Sequence, residues 1–378
     1  MRYRYSYPLY TVFLLLFFAC REAYISPVNS STQNLLVVEG ILNSGDTSTT
    51  IVLSRSVKLL DTAEFVPETG ALVSVESEQQ EVYPLTETGN GRYWSPGLPL
   101  NSNLKYRLLI TTDDGKRYAS DFIPVVDSPP IDSIGWDRDA DKVTIHASTH
   151  DPGNSTRYYR WDFNETWEFH SPFYSGLEYV NFRLIERRNS DEIYYCWKTR
   201  PSSQILVTNT LALGQDRVHK FPITRIVNGE VKLTVKYSIE VFQYALTKEA
   251  YEYWQILKKN TESVGSIFDP QPSLNVSNIH NIDDPDEIVI GYLSAGLVRR
   301  QRIFIDNSEV PGWHYFANCF EEKVSLDSLQ FFFGGGQLIP TLPDFIPPGQ
   351  QYTHVLGTTP VCVDCRLTGT NVKPDFWP

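Results

Sequence analysis

The sequence predicts a mainly β protein, with an N-terminal β-sandwich followed by a larger β-rich domain that carries one packed α-helix. Three observations predict it. Aromatic residues reach 13%, and such side chains favour pleated, half-buried strands. The 24 prolines interrupt long helical runs. Short apolar runs recur between clusters of Gly, Asn, Asp and Ser, the spacing expected of strands and turns. A hydrophobic content of 41% over 378 residues is enough for two domains with true cores and too much for a disordered chain.

The N-terminus reads as an export signal. Arg2 and Arg4 precede an apolar run over residues 10–19, a charged n-region followed by a short h-region. A spanning helix needs roughly 20 residues, so this run is too short to remain in a bilayer. Ala19 directly before Cys20 fits a bacterial lipoprotein box, although Phe17 stands where that box has Leu. Residues 1–19 are therefore expected to be removed, with Cys20 acylated and the chain held on a membrane. Two or more acyl chains hold a protein stably. Residues 20–34, polar and containing Ser30, Ser31 and Thr32, read as a flexible tether.

Residues 35–127 carry about seven strand signals, the signature of a sandwich. "LLVVEGIL" and "TTIVLSRS" flank Asn43-Ser44-Gly45-Asp46, and "LKYRLLITT" and "KRYASDFIP" flank Asp113-Asp114-Gly115. Asp114-Gly115 suits a type I′ hairpin turn. The stretch "GALVSVESEQQEVYPLTETGNGRYWS" resembles prealbumin-like or carboxypeptidase-regulatory-type sandwich domains, which implies an Ig-like or prealbumin-like body. Asp127-Ser128-Pro129-Pro130 marks a linker.

Residues 128–378 form the second β-rich domain. Val231, Leu233, Val235, Tyr237, Ile239 and Val241 alternate with polar residues, which predicts one period-2 strand. "EIVIGYLSAGLVRRQRIFID" predicts a hairpin turning near Ala295-Gly296. A helix over about 247–263 is expected, capped by Thr247, with Ala250, Tyr253, Trp254 and Leu257 on its packed face. In "RYYRWDFNETWEFH", strand alternation places Tyr159 and Trp161 together. Tyr159, Trp161, Trp167 and Phe169 are the candidate binding surface, in competition with an ordinary core role for strand aromatics.

Little points to catalysis. There is no nucleophile elbow, phosphate loop or zinc-protease motif. His146 and His150 bracket a strand end, and the acids of "DDPDE" at 283–287 lack calcium-loop spacing. No cofactor, metal or catalytic residue is expected. The net charge of −12 disfavours nucleic acid as a partner. Beyond Cys20, the even set Cys196, Cys319, Cys362 and Cys365 suggests two disulfides. A bridge inside "CVDC" closes a very short loop and gains little entropy, so Cys362 and Cys365 are each expected to reach a distant partner.

Several stretches together, "LVVEGIL", "YYRWDFNETWEF", "YSIEVFQYALTKEAYEYWQILKKNTE", "IVIGYLSAGLV" and "CVDCRLTGTNVKPDFW", resemble a family of uncharacterised Bacteroidota lipoproteins known as a domain of unknown function. The resemblance implies a gene neighbourhood shared with TonB-dependent transporters, and carries over no site residues. The expectation is a non-enzymatic, outer-membrane-anchored accessory or ligand-capturing partner of such a transporter. A surface adhesin or envelope structural protein is the alternative, and a hydrolase assembled from distant residues is a third reading.

Overall fold

Alternation of apolar side chains builds the first body. The strand Lys105–Thr111 turns Tyr106, Leu108 and Ile110 inward, and Leu72–Ser77 does the same with Val73 and Val75. In this computed structural model the described residues are 34–45, 47–57, 65–188, 192–262, 277–343 and 353–378. Cys20, the signal segment 1–19 and the tether up to residue 33 lie outside them.

The N-terminal sheet curls on itself. The strand Val82–Gly89 pairs through its first half with Leu72–Ser77 and through its second half with Arg92–Ser95, so one strand belongs to both faces. Between the faces lie Leu36, Ile51, Leu53, Val75, Tyr93, Leu108 and Tyr118. Burying side chains of this size contributes roughly 1.5–3 kcal/mol each. The buried Tyr hydroxyls are satisfied: Tyr93 donates to the Glu68 carbonyl at 2.9 Å, and Tyr106 accepts from the Asn101 N–H at 2.8 Å. The latter bond resembles the tyrosine corner of Greek-key sandwiches.

Two turns differ from expectation. Of residues 113–115 only Gly115 has a positive φ, 86°, so Asp114-Gly115 is not a type I′ turn, which needs positive φ at both central residues. Asn90 and Gly91, at 53° and 68°, join the pair Gly89↔Arg92 and make that turn instead.

A late segment completes this first body. Ser294–Gly296 runs parallel to residues 41–43, and Ile279–Asn281 pairs with Tyr118–Ser120. Ile279, Val289, Leu293 and Ala295 enter its core. The N-terminal core therefore does not close at residue 127. The hairpin expected at Ala295-Gly296 does not form, because Arg299–Asp306 pairs with Lys236–Gln243 in a different sheet. Gly291 permits the return: its φ is +136°, and a Cβ there would stand 2.1 Å from the Val38 carbonyl oxygen.

The second body is a sandwich of two sheets. Ile131–Arg138, Lys142–His150 and Arg217–Val227 form one. Tyr195–Pro201, Tyr158–His170, Lys236–Ala245 and Arg299–Asp306 form the other, with Leu206–Asn209 on the first half of Tyr158–His170. Trp161 stacks on Phe221 across the gap at 4.6 Å. The strand expected from Val231 begins only at Lys236, because Val231–Leu233 is a 3-10 turn. The Thr234 hydroxyl, donating to the Val231 carbonyl at 2.8 Å, competes locally with extended structure.

The helix Lys248–Glu262 follows its predicted cap, with the Ala250 N–H donating to Thr247 Oγ1 at 3.2 Å. It buries Ala250, Tyr251 and Tyr253; Trp254 and Leu257 are half-buried. Tyr251 turns inward because its hydroxyl accepts from Asn209 at 2.7 Å and Gln255 at 2.6 Å. Gln243, fully buried, donates to Ser128 Oγ, the Pro129 carbonyl and Thr149 Oγ1 at 2.9–3.1 Å. The linker is thereby fastened to the second body.

A small C-terminal unit completes the fold. Glu322–Ser325, His354–Thr358 and Ile339–Pro343 form a three-stranded sheet. It packs with the short helix Leu329–Phe332 and the hairpin Leu177–Val180/Arg183–Glu186 around Val324, Phe333, Leu338 and Val355.

Candidate functional site

The sequence-predicted aromatic surface is not a surface. Tyr159, Trp161, Trp167 and Phe169 are at most 7% exposed and belong to the second body's core. They occupy alternate positions of a strand whose inner face meets the opposing sheet. The Tyr159 hydroxyl donates to Asp216 at 2.5 Å, and burial followed by that carboxylate pushes the phenol pKa upward. The Trp161 indole donates to Gln243 at 3.2 Å.

The four cysteines pair as Cys196–Cys365 and Cys319–Cys362, each with Cα atoms 5.8 Å apart. Cys362 and Cys365 both reach distant partners, as the short-loop reasoning expects. The acidic loop is an ion-pair network. Glu287 accepts from Lys116, Tyr118 and Asn281 at 2.7–2.9 Å, and Arg117 engages Asp283. Burial, then Glu287, pushes the Tyr118 phenol up to about 12. His146 is buried and lies 3.3 Å from Asp137, and His150 lies 2.8 Å from Asp132. Among the described residues no group of three or more His, Cys, Asp or Glu could hold a metal ion.

The exposed aromatic side chains lie elsewhere. Phe182 is 76% exposed, Phe316 88%, Phe320 75% and Phe331 67%. Phe182 forms the hairpin tip with Asn181, both at positive φ, 62° and 50°. A bulky residue in that region is strained, yet an aromatic stands there rather than Gly. Tyr179 of the same hairpin donates to Gln330 at 3.1 Å, which ties it to the helix carrying Phe331. The Thr358 hydroxyl donates to the Phe320 carbonyl at 2.7 Å. Sequence alone separates these residues by up to 149 positions; the exposed tip had a signal in "VNFR", where Asn181 favours positive φ.

A cleft of about 420 Å³ lies on the outer face of the larger sheet. Strand register makes its floor: Trp197 and Lys236 both stand opposite Glu168, and directly opposed residues project to the same side. The C-terminal segment makes its far wall. It bonds along the edge strand, with Trp197 N–H to the Thr370 carbonyl at 2.7 Å and Thr370 N–H back to the Trp197 carbonyl at 2.9 Å. Trp377 then reaches over the sheet, donating to Glu168 Oε2 at 3.1 Å and meeting Phe304 edge-on at 5.6 Å. Thr166 and Ser238 are buried, although they alternate with the inward-facing residues of their strands. Sequence reasoning missed this cleft, since four distant stretches assemble it.

A family model described as a domain of unknown function (DUF4249) matches residues 21–302. No curated protein matches the chain. Among solved structures, a two-domain fibronectin type-III segment from chicken tenascin matches with 14% identity and a TM-score of 0.16. It covers 56% of this chain and 92% of its own. The chicken interferon gamma receptor alpha chain matches with 8% identity and a TM-score of 0.14, covering 57% of this chain and 91% of its own.

Proposed function

The chain belongs to the DUF4249 family, and from that premise we propose that it is an outer-membrane-anchored lipoprotein that docks on a TonB-dependent transporter and acts by binding rather than catalysis. The observation that carries the docking is the set of exposed aromatic side chains Phe182, Phe320 and Phe331 on the C-terminal unit and its hairpin, with Phe316 on the segment that leads into it. Aromatic anchors dominate interface energetics. The short apolar run before Cys20 supports the anchor. No helix among the described residues is long and apolar enough to cross a membrane, so membrane retention in this reading rests on the lipid. Confinement to a thin layer raises effective concentration, and a weak contact with a neighbouring membrane protein is then populated.

The experiment has two parts. Wild-type protein labelled with a fatty-acid analogue should partition with the outer membrane and carry label, and Cys20→Ser should do neither. Purification of the tagged protein in mild detergent should recover a TonB-dependent transporter. Labelled Cys20→Ser protein in the membrane removes the anchor, and recovery of no transporter removes the docking.

A further inference from the structure

We propose that the cleft between the C-terminal segment and the outer face of the larger sheet is a binding site for a neutral saccharide of about two rings. The proposal does not rest on the docking reading, which concerns a different part of the molecule.

The chemistry of the walls selects the ligand class. Tyr195 and Trp197 lie along the edge strand, with Tyr195 43% exposed, and supply flat apolar faces of the kind that pack against the C–H face of a sugar ring. Glu168 and Glu192 face the cleft together with Lys236 and Lys373. Two acids and two bases line it, with Lys236 3.8 Å from Asp306 and Lys373 donating to the Pro378 carbonyl at 2.8 Å, so no single sign of charge dominates the lining. They do supply acceptors and donors at short spacing, which suits a ligand made of hydroxyl groups. The volume of about 420 Å³ falls in the range of small-molecule sites.

The site is built rather than incidental. Glu168 is held at once by its strand, by the Trp377 indole and by cross-strand neighbours Trp197 and Lys236. The far wall is fixed by the Cys196–Cys365 bridge, by the Thr370 backbone bonds and by Asn371, which donates to the Glu192 carbonyl at 3.0 Å. Gly369 lets the chain cross the edge, because a Cβ there would stand 2.7 Å from the Trp197 carbonyl oxygen and 2.9 Å from the Phe169 ring. A preorganised polar site binds without paying ordering entropy at the moment of contact.

The test uses the full chain in a detergent that contains no sugar. Saturation-transfer NMR and tryptophan fluorescence are run with maltose, cellobiose, lactose and diacetylchitobiose. An anionic sialyllactose, a cationic chitosan disaccharide and the tripeptide Ala-Tyr-Ala serve as competitors of other classes. At least one neutral disaccharide should bind saturably and in preference to the charged sugars and the peptide. Glu168→Gln, which can still accept the Trp377 bond, and Tyr195→Ala, half exposed, should each weaken it about tenfold, a loss of one strong contact. Unchanged circular dichroism should accompany both. Saturable binding by none of the neutral disaccharides overturns the proposal. So does preference for a charged sugar or the peptide, or affinity that survives both substitutions.

Discussion

The N-terminal sandwich and the C-terminal unit hold their shapes by different means. The first relies on alternation: inward side chains of many paired strands bury one continuous core. The second has a core of four buried residues and the Cys319–Cys362 disulfide, while Cys196–Cys365 packs in the second body's core and fastens the chain that follows the unit. A small core supplies little net stability, and covalent links substitute for it. This unit, its hairpin and the segment leading into it are also where Phe182, Phe316, Phe320 and Phe331 stand in solvent. Packing buries Tyr93, Tyr106 and Tyr118 of the first body, whereas the four most exposed phenylalanines of the described residues are these.

The largest effect should come from the staple. The bridge Cys196–Cys365 closes a span of 169 residues, and loss of a native disulfide typically costs about 2–5 kcal/mol. Replacing both cysteines by Ala should lower stability by about that amount in a denaturant titration. It should also expose Trp197 and Trp377 to quenching while the N-terminal body stays folded. Unchanged stability would break the comparison. In the first body, Leu108→Ala removes a fully buried side chain and should cost about 2–5 kcal/mol, without altering disulfide content. Gly291→Ala should cost about 1–3 kcal/mol or more, since it combines a positive φ with backbone overlap at Val38. A neutral result there would show that the late segment is not needed by the first core.

Smaller effects sharpen the contrast. Asp151 accepts from Gly153, Ser155 and Thr156 backbone N–H groups at 2.8–2.9 Å. Burial opposes ionisation, but the Ser155 hydroxyl and these N–H groups outweigh it and lower the pKa to about 2. A carboxylate depressed on folding contributes stability above its unfolded pKa and loses it as pH falls through the folded value. Wild-type melting temperature should therefore fall more steeply than that of Asp151→Asn between the ordinary carboxylate pKa and about 2. Parallel curves would contradict this. Phe182→Gly should leave stability within about 0.5 kcal/mol of wild type or raise it slightly, because Gly accepts the positive φ without strain. A larger loss would mean that Phe182 is packed rather than displayed.

Much of the first body was legible. Tyr106, Leu108 and Ile110 alternate in sequence and point inward in the structure, because strand period fixes which residues share a face. Period does not say what lies against that face. Tyr159 and Trp161 do share a side, but the side meets the opposing sheet. The return of residues 277–298 was hidden, since parallel pairing of Ser294–Gly296 with residues 41–43 spans more than 250 positions and leaves no local turn signal. The cleft required the registers of three strands and a disulfide before Glu168, Trp197, Lys236 and Trp377 could meet. By contrast, Thr247 as a helix cap and the distant pairing of Cys362 and Cys365 follow from local chemistry and loop entropy.

Co-purification with a TonB-dependent transporter, measured side by side for wild type, Phe182→Ser/Phe331→Ser and Leu108→Ala in the same mild detergent, tests the docking claim most directly. Transporter is expected with wild type, a loss of about tenfold or more with the double Phe variant at unchanged folding, and retention with whatever Leu108→Ala protein remains folded. Equal transporter recovery with the double Phe variant, or none with wild type, would contradict that claim.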